Sequence, residues 1–417
     1  MSTETIQTVH APVPPAPEAA STGRTRLPSV VYVLAAGTFL MLTTEFVVAG
    51  ILPEMAADLQ ISLPQAGSLI TVFAIGMIVG APTMALLTMR MSKRFTLVLA
   101  MLVFVVGHVV VALSSSLPVL LTARFVTALA TGAFWAVAAV VATRAAGASA
   151  GARALGIVTA GGALATVVGV PVGAFIAQGV GWRGTFWVLA IAAAFATVLI
   201  ARLVPADGAG APTTSLRTEL AGLRSTRLWL ALLACVTTTG GVLAAYSFVA
   251  PILTDQAGVP AALVPLVLTG FGVGSFIGTI LGGRFGDAHP GLVTIVTPAV
   301  TTVLLAAISM TTGAPVAMTV LIVLLGLFGL SANGVLINLA VRHAGNAATL
   351  GSALAVSAFN VGTAAGSAVA GLALTSSLGV HGPAAVGAVI VALTLIPVVA
   401  LAVLRRRESS PAAATRP

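Results

Sequence analysis

Two ionisable residues stand where long apolar runs leave them little water: Glu45, in Thr43-Thr44-Glu45-Phe46, and Arg124, in Arg124-Phe125-Val126-Thr127. An acid within a hydrocarbon layer costs a few kcal/mol on insertion scales, so it is a functional candidate by default. Loss of water disfavours the charged form of a carboxyl, which suits Glu45 to loading and releasing a proton. The bland alternative is a carboxyl held permanently neutral or paired with a base. An arginine stays charged, so Arg124 needs a partner or water. It can compensate Glu45, hold a substrate group, or snorkel to the nearby membrane surface. Both readings of each residue stay open at this level.

The surroundings of the two residues define the solvent. Of 417 residues, 58% are hydrophobic and only 7% charged, with a mean hydropathy of +1.12. A soluble globular chain has about 25% charged residues; so few cannot coat a water-facing surface. Apolar runs near 20 residues span a bilayer as helix, with every backbone group satisfied internally. A transmembrane barrel would need short segments of alternating polarity, whereas these runs are continuous and rich in Gly, Ala, Val and Leu. The net charge of +9 does not indicate nucleic acid, because the basic residues are dispersed among loops. Cys235 is the only cysteine; without a second cysteine or a His cluster, neither a disulfide, a metal site nor a cofactor is expected.

Twelve spans are predicted, at 28–52, 66–89, 95–113, 118–142, 154–178, 184–204, 228–251, 262–283, 292–311, 316–340, 349–375 and 384–404. Residues 1–27 form a Pro/Ala/Thr-rich tail expected to be disordered, and 405–417 a second tail. Between two six-helix bundles, 28–204 and 228–404, residues 205–227 form a polar linker with Pro205, Asp207, Gly208, Gly210 and Pro212. With the N-terminus in the cytoplasm, 17 of the 19 Lys and Arg residues fall in cytoplasmic segments, leaving Arg183 outside and Arg124 in a span. That bias predicts both termini inside. A monomer is the expected state.

A shift of 198 residues overlays Phe73 on Phe271, Gly76 on Gly274 and Gly80 on Gly278. Parallel repeats of this kind place a substrate site between two halves near the midplane. Polar or aromatic residues available to line such a cavity are Phe134, Trp135, Tyr246, Asn333, Asn338 and Asn360, each equally explicable as helix–helix glue. Gly169-Val170-Pro171-Val172-Gly173 permits close approach and a bend. Arg90, Lys93 and Arg94 after span 2, and Arg284 with Asp287 after span 8, either anchor the inner surface or latch onto neighbouring helix ends. His108 is expected to be a satisfied structural histidine, and Glu54 and Asp58 to be solvated loop acids.

The chain resembles the major facilitator superfamily, in particular its 12-helix drug:proton antiporters, over roughly residues 28–404. The loop after span 2, Ala85-x-x-x-Met89-Arg90-x-Ser92-Lys93-Arg94, is a degraded form of the family's Gly-x-x-x-Asp-Arg motif, and Gly283-x-x-x-Asp287 keeps more of it in the second half. Arg124 matches the family's span-4 arginine, with Thr127 and Ala128 where Gln and Gly are usual. The stretch 169–173 looks like the antiporter motif, with Val170 inserted between the usual Gly and Pro. Thr44-Glu45-Phe46, Gly50-Ile51-Leu52-Pro53 and Gly274-Ser275-Phe276-Ile277-Gly278 are similar to chloramphenicol exporters and arabinose-efflux-like permeases. The resemblance implies an all-α fold of two pseudo-symmetric halves that exports a small neutral or amphiphilic compound in exchange for protons.

A sugar exporter or uptake symporter on this fold would want more hydrogen-bonding groups in its spans. A membrane enzyme or receptor would need a catalytic cluster or a soluble domain, and neither a Ser/His/Asp arrangement nor a His/Cys cluster is present.

Overall fold

The computed structural model describes residues 27–88, 91–147, 150–205, 225–345 and 348–409. Arg90 and most of both tails and of the 205–227 linker lie outside the described residues.

Twelve helices are long and apolar enough to cross a membrane: span 1 Ser29–Gly50, span 2 Leu63–Met84, span 3 Lys93–Leu113, span 4 Leu117–Ala146, span 5 Arg153–Val180, span 6 Trp182–Leu203, span 7 Thr226–Tyr246, span 8 Ala261–Ala288, span 9 Pro290–Met310, span 10 Pro315–His343, span 11 Gly351–Leu374 and span 12 Gly379–Leu404. Among the described residues there is no strand. Large apolar side chains such as Phe175, Ile191, Val303 and Met310 point outward, the surface expected of a protein whose solvent is lipid.

Four spans expected to be continuous are interrupted, span 12 by a turn at Thr394 between Gly382–Leu393 and Leu395–Ser409. In span 5, Ala165–Gly169 winds as a π-helix. Pro171 follows, and a proline has no amide for the carbonyl one turn back and crowds it sterically. Span 7 ends at Tyr246 and resumes after a turn as Val249–Pro251, followed by a π-turn at Ile252–Gln256. Span 10 stops at Gly329 and restarts at Asn333. The loop after span 1 contains a short helix, Leu52–Leu59, with proline in its first turn, where a missing amide costs nothing.

The 198-residue repeat reappears as packing. A Cβ on Gly76 would sit 2.9 Å from the Phe125 carbonyl oxygen, and one on Gly274 2.5 Å from that of Val323; 125 plus 198 is 323. Gly80 approaches the backbone of Leu129, and Gly278 that of Leu327, again 198 apart. Span 2 therefore meets span 4 as span 8 meets span 10, backbone against backbone at glycine.

The apolar core shows how the halves meet. One buried cluster joins them on the face opposite the chain termini, running from Val47–Met55 and Ala66–Ile70 to Leu243–Leu253, Val264–Phe271 and Ala370. Toward the termini the cores separate: one cluster holds only residues of spans 1–6 and their flanks, the other only residues of spans 7–12. Side-chain hydrogen bonds from Thr71 Oγ1 to Ser367 Oγ (2.7 Å) and from Gln178 Nε2 to the Ala261 carbonyl (2.7 Å) cross between the halves.

Candidate functional site

Span 1 carries the site. It packs against spans 2, 4, 5 and 6 of its own half and against spans 7 and 8 of the other, so no wide face of it meets lipid. Glu45 stands between the termini-side core, which ends on this helix at Met41, and the cross-half core, which begins at Val47. Its carboxyl is partly exposed and makes neither a hydrogen bond nor an ion pair among the described residues. Span 5 presses on either side of it: Gly169 lies against Thr43, and a Cβ on Gly173 would come within 2.5 Å of Val47 Cγ2. The Gly-Val-Pro-Val-Gly stretch thus sets the path of the helix that carries the acid.

Arg124 does not snorkel. It is only 2% exposed, and its guanidinium turns inward to span 1. Nη1 donates to the Thr44 carbonyl oxygen and to Thr44 Oγ1, both at 2.9 Å. The guanidinium carbon lies 4.2 Å from the centre of the Phe73 ring, a cation–π contact strengthened by the absence of water. Nε and Nη2 are sealed without a partner. Arg124 and Glu45 attract one another electrostatically without being in ion-pair contact.

His108 is not isolated. Its Nε2 lies 2.7 Å from Thr44 Oγ1 and its Nδ1 2.7 Å from the Phe104 carbonyl oxygen. On the other side of Glu45, Phe46 meets Tyr246 edge-on with centroids 6.3 Å apart, and Tyr246 lies 4.5 Å from Phe271. Tyr246 is buried but its hydroxyl is not sealed. Residues 44–46 therefore touch Arg124 and His108 on one side and the second half on the other.

The remaining candidates spread out. Phe134 is fully buried in the termini-side core and fills the space over Gly37, so it packs spans 1 and 4 together. Trp135 is half-buried beside Gly162. Asn360 is buried, donates to the Val356 carbonyl at 3.0 Å and leaves Oδ1 sealed and unpartnered. Asn333 sits at the break in span 10 with its Oδ1 sealed and unpartnered. Asn338 is exposed and accepts from Arg342 Nε at 3.2 Å. At the termini face, Asp287 is exposed and pairs with no cation among the described residues, Gly283 borders open space, and Lys93 and Arg94 open span 3.

The expectation of a solvated loop acid is corrected for Glu54, while Asp58 is exposed as expected. Glu54 is half-buried with Oε2 sealed and unpartnered, because the short helix tucks it against the cross-half core. Burial pushes its carboxyl above the ordinary value. Asp58 forms an ion pair with Arg183 and accepts from Trp182 Nε1 at 3.1 Å; these two partners hold its carboxyl below the ordinary value. Nothing in the sequence marks Thr44, Phe73, His108 or Phe271 as site residues. The first three surround Arg124, a grouping that only the crossing of spans 1 to 4 creates.

The fold is shared with known transporters. It superposes, with a TM-score of 0.68 over 90% of this chain and 95% of the other, on a bacterial homologue of the human lysosomal transporter Spinster, solved in an inward-facing and unoccupied conformation; identity is 15%. The sequence profile of the Major Facilitator Superfamily matches residues 34–356 and 232–417. The chain belongs to the Major Facilitator Superfamily. Within it, the chain is 36% identical over 373 residues to a chloramphenicol resistance protein of Streptomyces lividans, covering 89% of this chain and 95% of that one. It is 31% identical over 363 residues to the inner membrane transport protein YdhP of Escherichia coli K12, covering 87% and 93%. This Major Facilitator Superfamily member is thus a multi-pass membrane transporter and not an enzyme.

Proposed function

We propose that this transporter exports a small neutral or amphiphilic drug, chloramphenicol-like in character, in exchange for protons. The observation that carries the reading is Glu45: an unpaired, accessible carboxyl set directly beneath the apolar closure between the halves, with the Arg124 charge docked on the preceding residue. The name of the Streptomyces lividans relative and the aromatic groups beside Glu45, Phe46, Tyr246 and Phe271, favour an apolar, ring-bearing substrate.

The bodies that move are 28–204 and 228–404, and both termini lie in the cytoplasm, with the chain in a bacterial inner membrane; the basic-residue bias supports the orientation and the bacterial relatives support the membrane. The closed face is then the outer one, and the conformation is inward-facing. In the outward-facing state Glu45 takes a proton and the halves rock. Inside, substrate binding favours proton release, and the ionised carboxylate is attracted to Arg124. The halves rock back carrying the substrate out. The chain works as a monomer. One proton entering against a neutral drug moves one charge: about 2.3 kcal/mol at 100 mV, plus about 1.4 per pH unit. The sum of roughly 3.7 kcal/mol sustains a gradient of several hundredfold at tenfold per 1.4.

The test is resistance profiling and drug efflux in an efflux-deficient host, with and without an uncoupler, for the wild type and Glu45→Gln. The wild type should lower drug accumulation until the uncoupler is added, and Glu45→Gln should reach the membrane but fail to concentrate drug outward. Undiminished proton-driven efflux by Glu45→Gln sinks the assignment of Glu45.

A further inference from the structure

His108 lies buried in span 3, its ring stacked on Phe104 (centroids 3.9 Å apart) and near Phe186 (5.7 Å). Both ring nitrogens are engaged, and their roles can be assigned. The Phe104 carbonyl can only accept, so Nδ1 carries the hydrogen. Thr44 Oγ1 already accepts from Arg124 Nη1. A second cation on that oxygen would be repelled at close range in a water-poor site, so Nε2 is the acceptor and the Thr44 hydroxyl donates to it. A directed chain follows: Arg124 to Thr44, Thr44 to His108, His108 to the Phe104 carbonyl.

This arrangement departs from the local default. A threonine inside a helix usually donates back to the carbonyl one turn earlier. Thr38, Thr43, Thr127 and Thr131 do so here, to Leu34, Phe39, Ala123 and Thr127. Thr44 gives its hydrogen to His108 instead, which turns its oxygen toward Arg124. The guanidinium is held through Nη1 alone, and its other two nitrogens are sealed without partners. Released from Thr44, the nearby opposite charge available to them is Glu45.

We propose that His108 is a positioning residue for the pair of Glu45 and Arg124: through Thr44 it keeps the guanidinium docked on span 1 and off the Glu45 carboxyl. Glu45 can then exchange its proton without being locked as a permanent ion pair. This rests on the reading of Glu45 as the proton carrier.

The experiment uses the full chain in proteoliposomes, treated with a hydrophobic carbodiimide at pH 7. Such a reagent attacks the protonated carboxyl, and labelling is quantified separately on the peptides bearing Glu45 and Glu54. His108→Phe keeps the stacked ring and removes both polar ends; Thr44→Val removes the relay from the other side. Both should cut Glu45 labelling by about tenfold, the least that an opposite charge brought into contact produces. Glu54 labelling should be unchanged, and Thr44→Ser should restore the wild-type rate at Glu45. Loosening of the fold would instead raise labelling at both sites, and that result overturns the proposal. So does wild-type labelling of Glu45 in both His108→Phe and Thr44→Val. A wild-type protein whose Glu45 does not label at all removes Glu45 as a proton site, and His108's role with it.

Discussion

Gly278 of span 8 lies directly against the backbone of Leu327 in span 10, with no room for a side-chain carbon between them. Gly283, five residues on, borders open space. The same helix therefore carries one glycine that packing demands and one that it does not. Gly278→Ala should lower the amount of folded protein in the membrane and its melting temperature, by about 1–3 kcal/mol for overpacking. Gly283→Ala should be neutral or mildly stabilising, since an alanine favours helix by up to about 1 kcal/mol. Thermal unfolding in detergent reads both. Equal losses would mean that helix propensity, and not the contact with Leu327, sets the effect.

How much of this was legible in the sequence depends on the range of the interaction. Apolar runs and basic loops are local signals, and they place all twelve helices within a few residues. The repeat was legible too, because Gly76, Gly80, Gly274 and Gly278 are chosen by the same packing problem in each half. The break in span 10 was not, since Ser331-Ala332-Asn333-Gly334 carries no proline to announce it. Nor was the solvation of Glu54: a loop acid reads as wet until the short helix Leu52–Leu59 and the second half close over it. Glu45 and Arg124 stood out as isolated charges in apolar runs. Their geometry did not, because Thr44 and His108 are 64 residues apart and each is unremarkable alone.

Glu54 and Asp58 lie on one short helix but respond oppositely to pH. Burial raises Glu54 above its ordinary 4.5, so its favourable contribution is complete below that value and is lost as pH rises through the folded value. Glu54→Gln should raise the melting temperature at pH 8 and leave it unchanged at pH 4. Arg183 and Trp182 lower Asp58 below its ordinary 3.8, so its contribution is complete above 3.8 and lost as pH falls through the depressed value. Asp58→Asn should lower the melting temperature at pH 8, modestly, since the pair is partly exposed and such pairs contribute about 0–1 kcal/mol. Melting curves of Glu54→Gln at pH 4 and pH 8, and of Asp58→Asn at pH 8 and below 3.8, check the signs; a Glu54→Gln protein less stable at pH 8 contradicts the burial argument.

The hydrogen bond between Thr71 and Ser367 joins the halves on the closed face. Thr71→Val and Ser367→Ala should each weaken that closure by about 0.5–1.5 kcal/mol and shift the population toward opening there by roughly fivefold per kcal/mol. The double variant should shift it little further, because either substitution already removes the bond. Spin labels at Gln65 and Leu378, exposed on this face, would report the change as a longer inter-label distance in frozen proteoliposomes. Additive shifts in the double variant would show that the two side chains act separately.

Arg124 tests whether charge alone suffices at the site. Nη1 makes two bonds to Thr44 while the guanidinium carbon lies over the Phe73 ring. A lysine keeps the charge but is a compact point donor without the planar fork. Arg124→Lys should therefore reach the membrane in near-normal amount and lose about 1–3 kcal/mol of this docking, with efflux falling by tenfold or more while drug binding in detergent is retained. Arg124→Met, which removes the charge without leaving a buried donor unpaired, should preserve the fold and abolish proton-driven efflux. Drug binding and uncoupler-sensitive efflux, measured on the same preparations, separate the two steps. Wild-type efflux by Arg124→Lys would show that the fork onto Thr44 is dispensable, and loss of drug binding in both variants would place Arg124 in the substrate site.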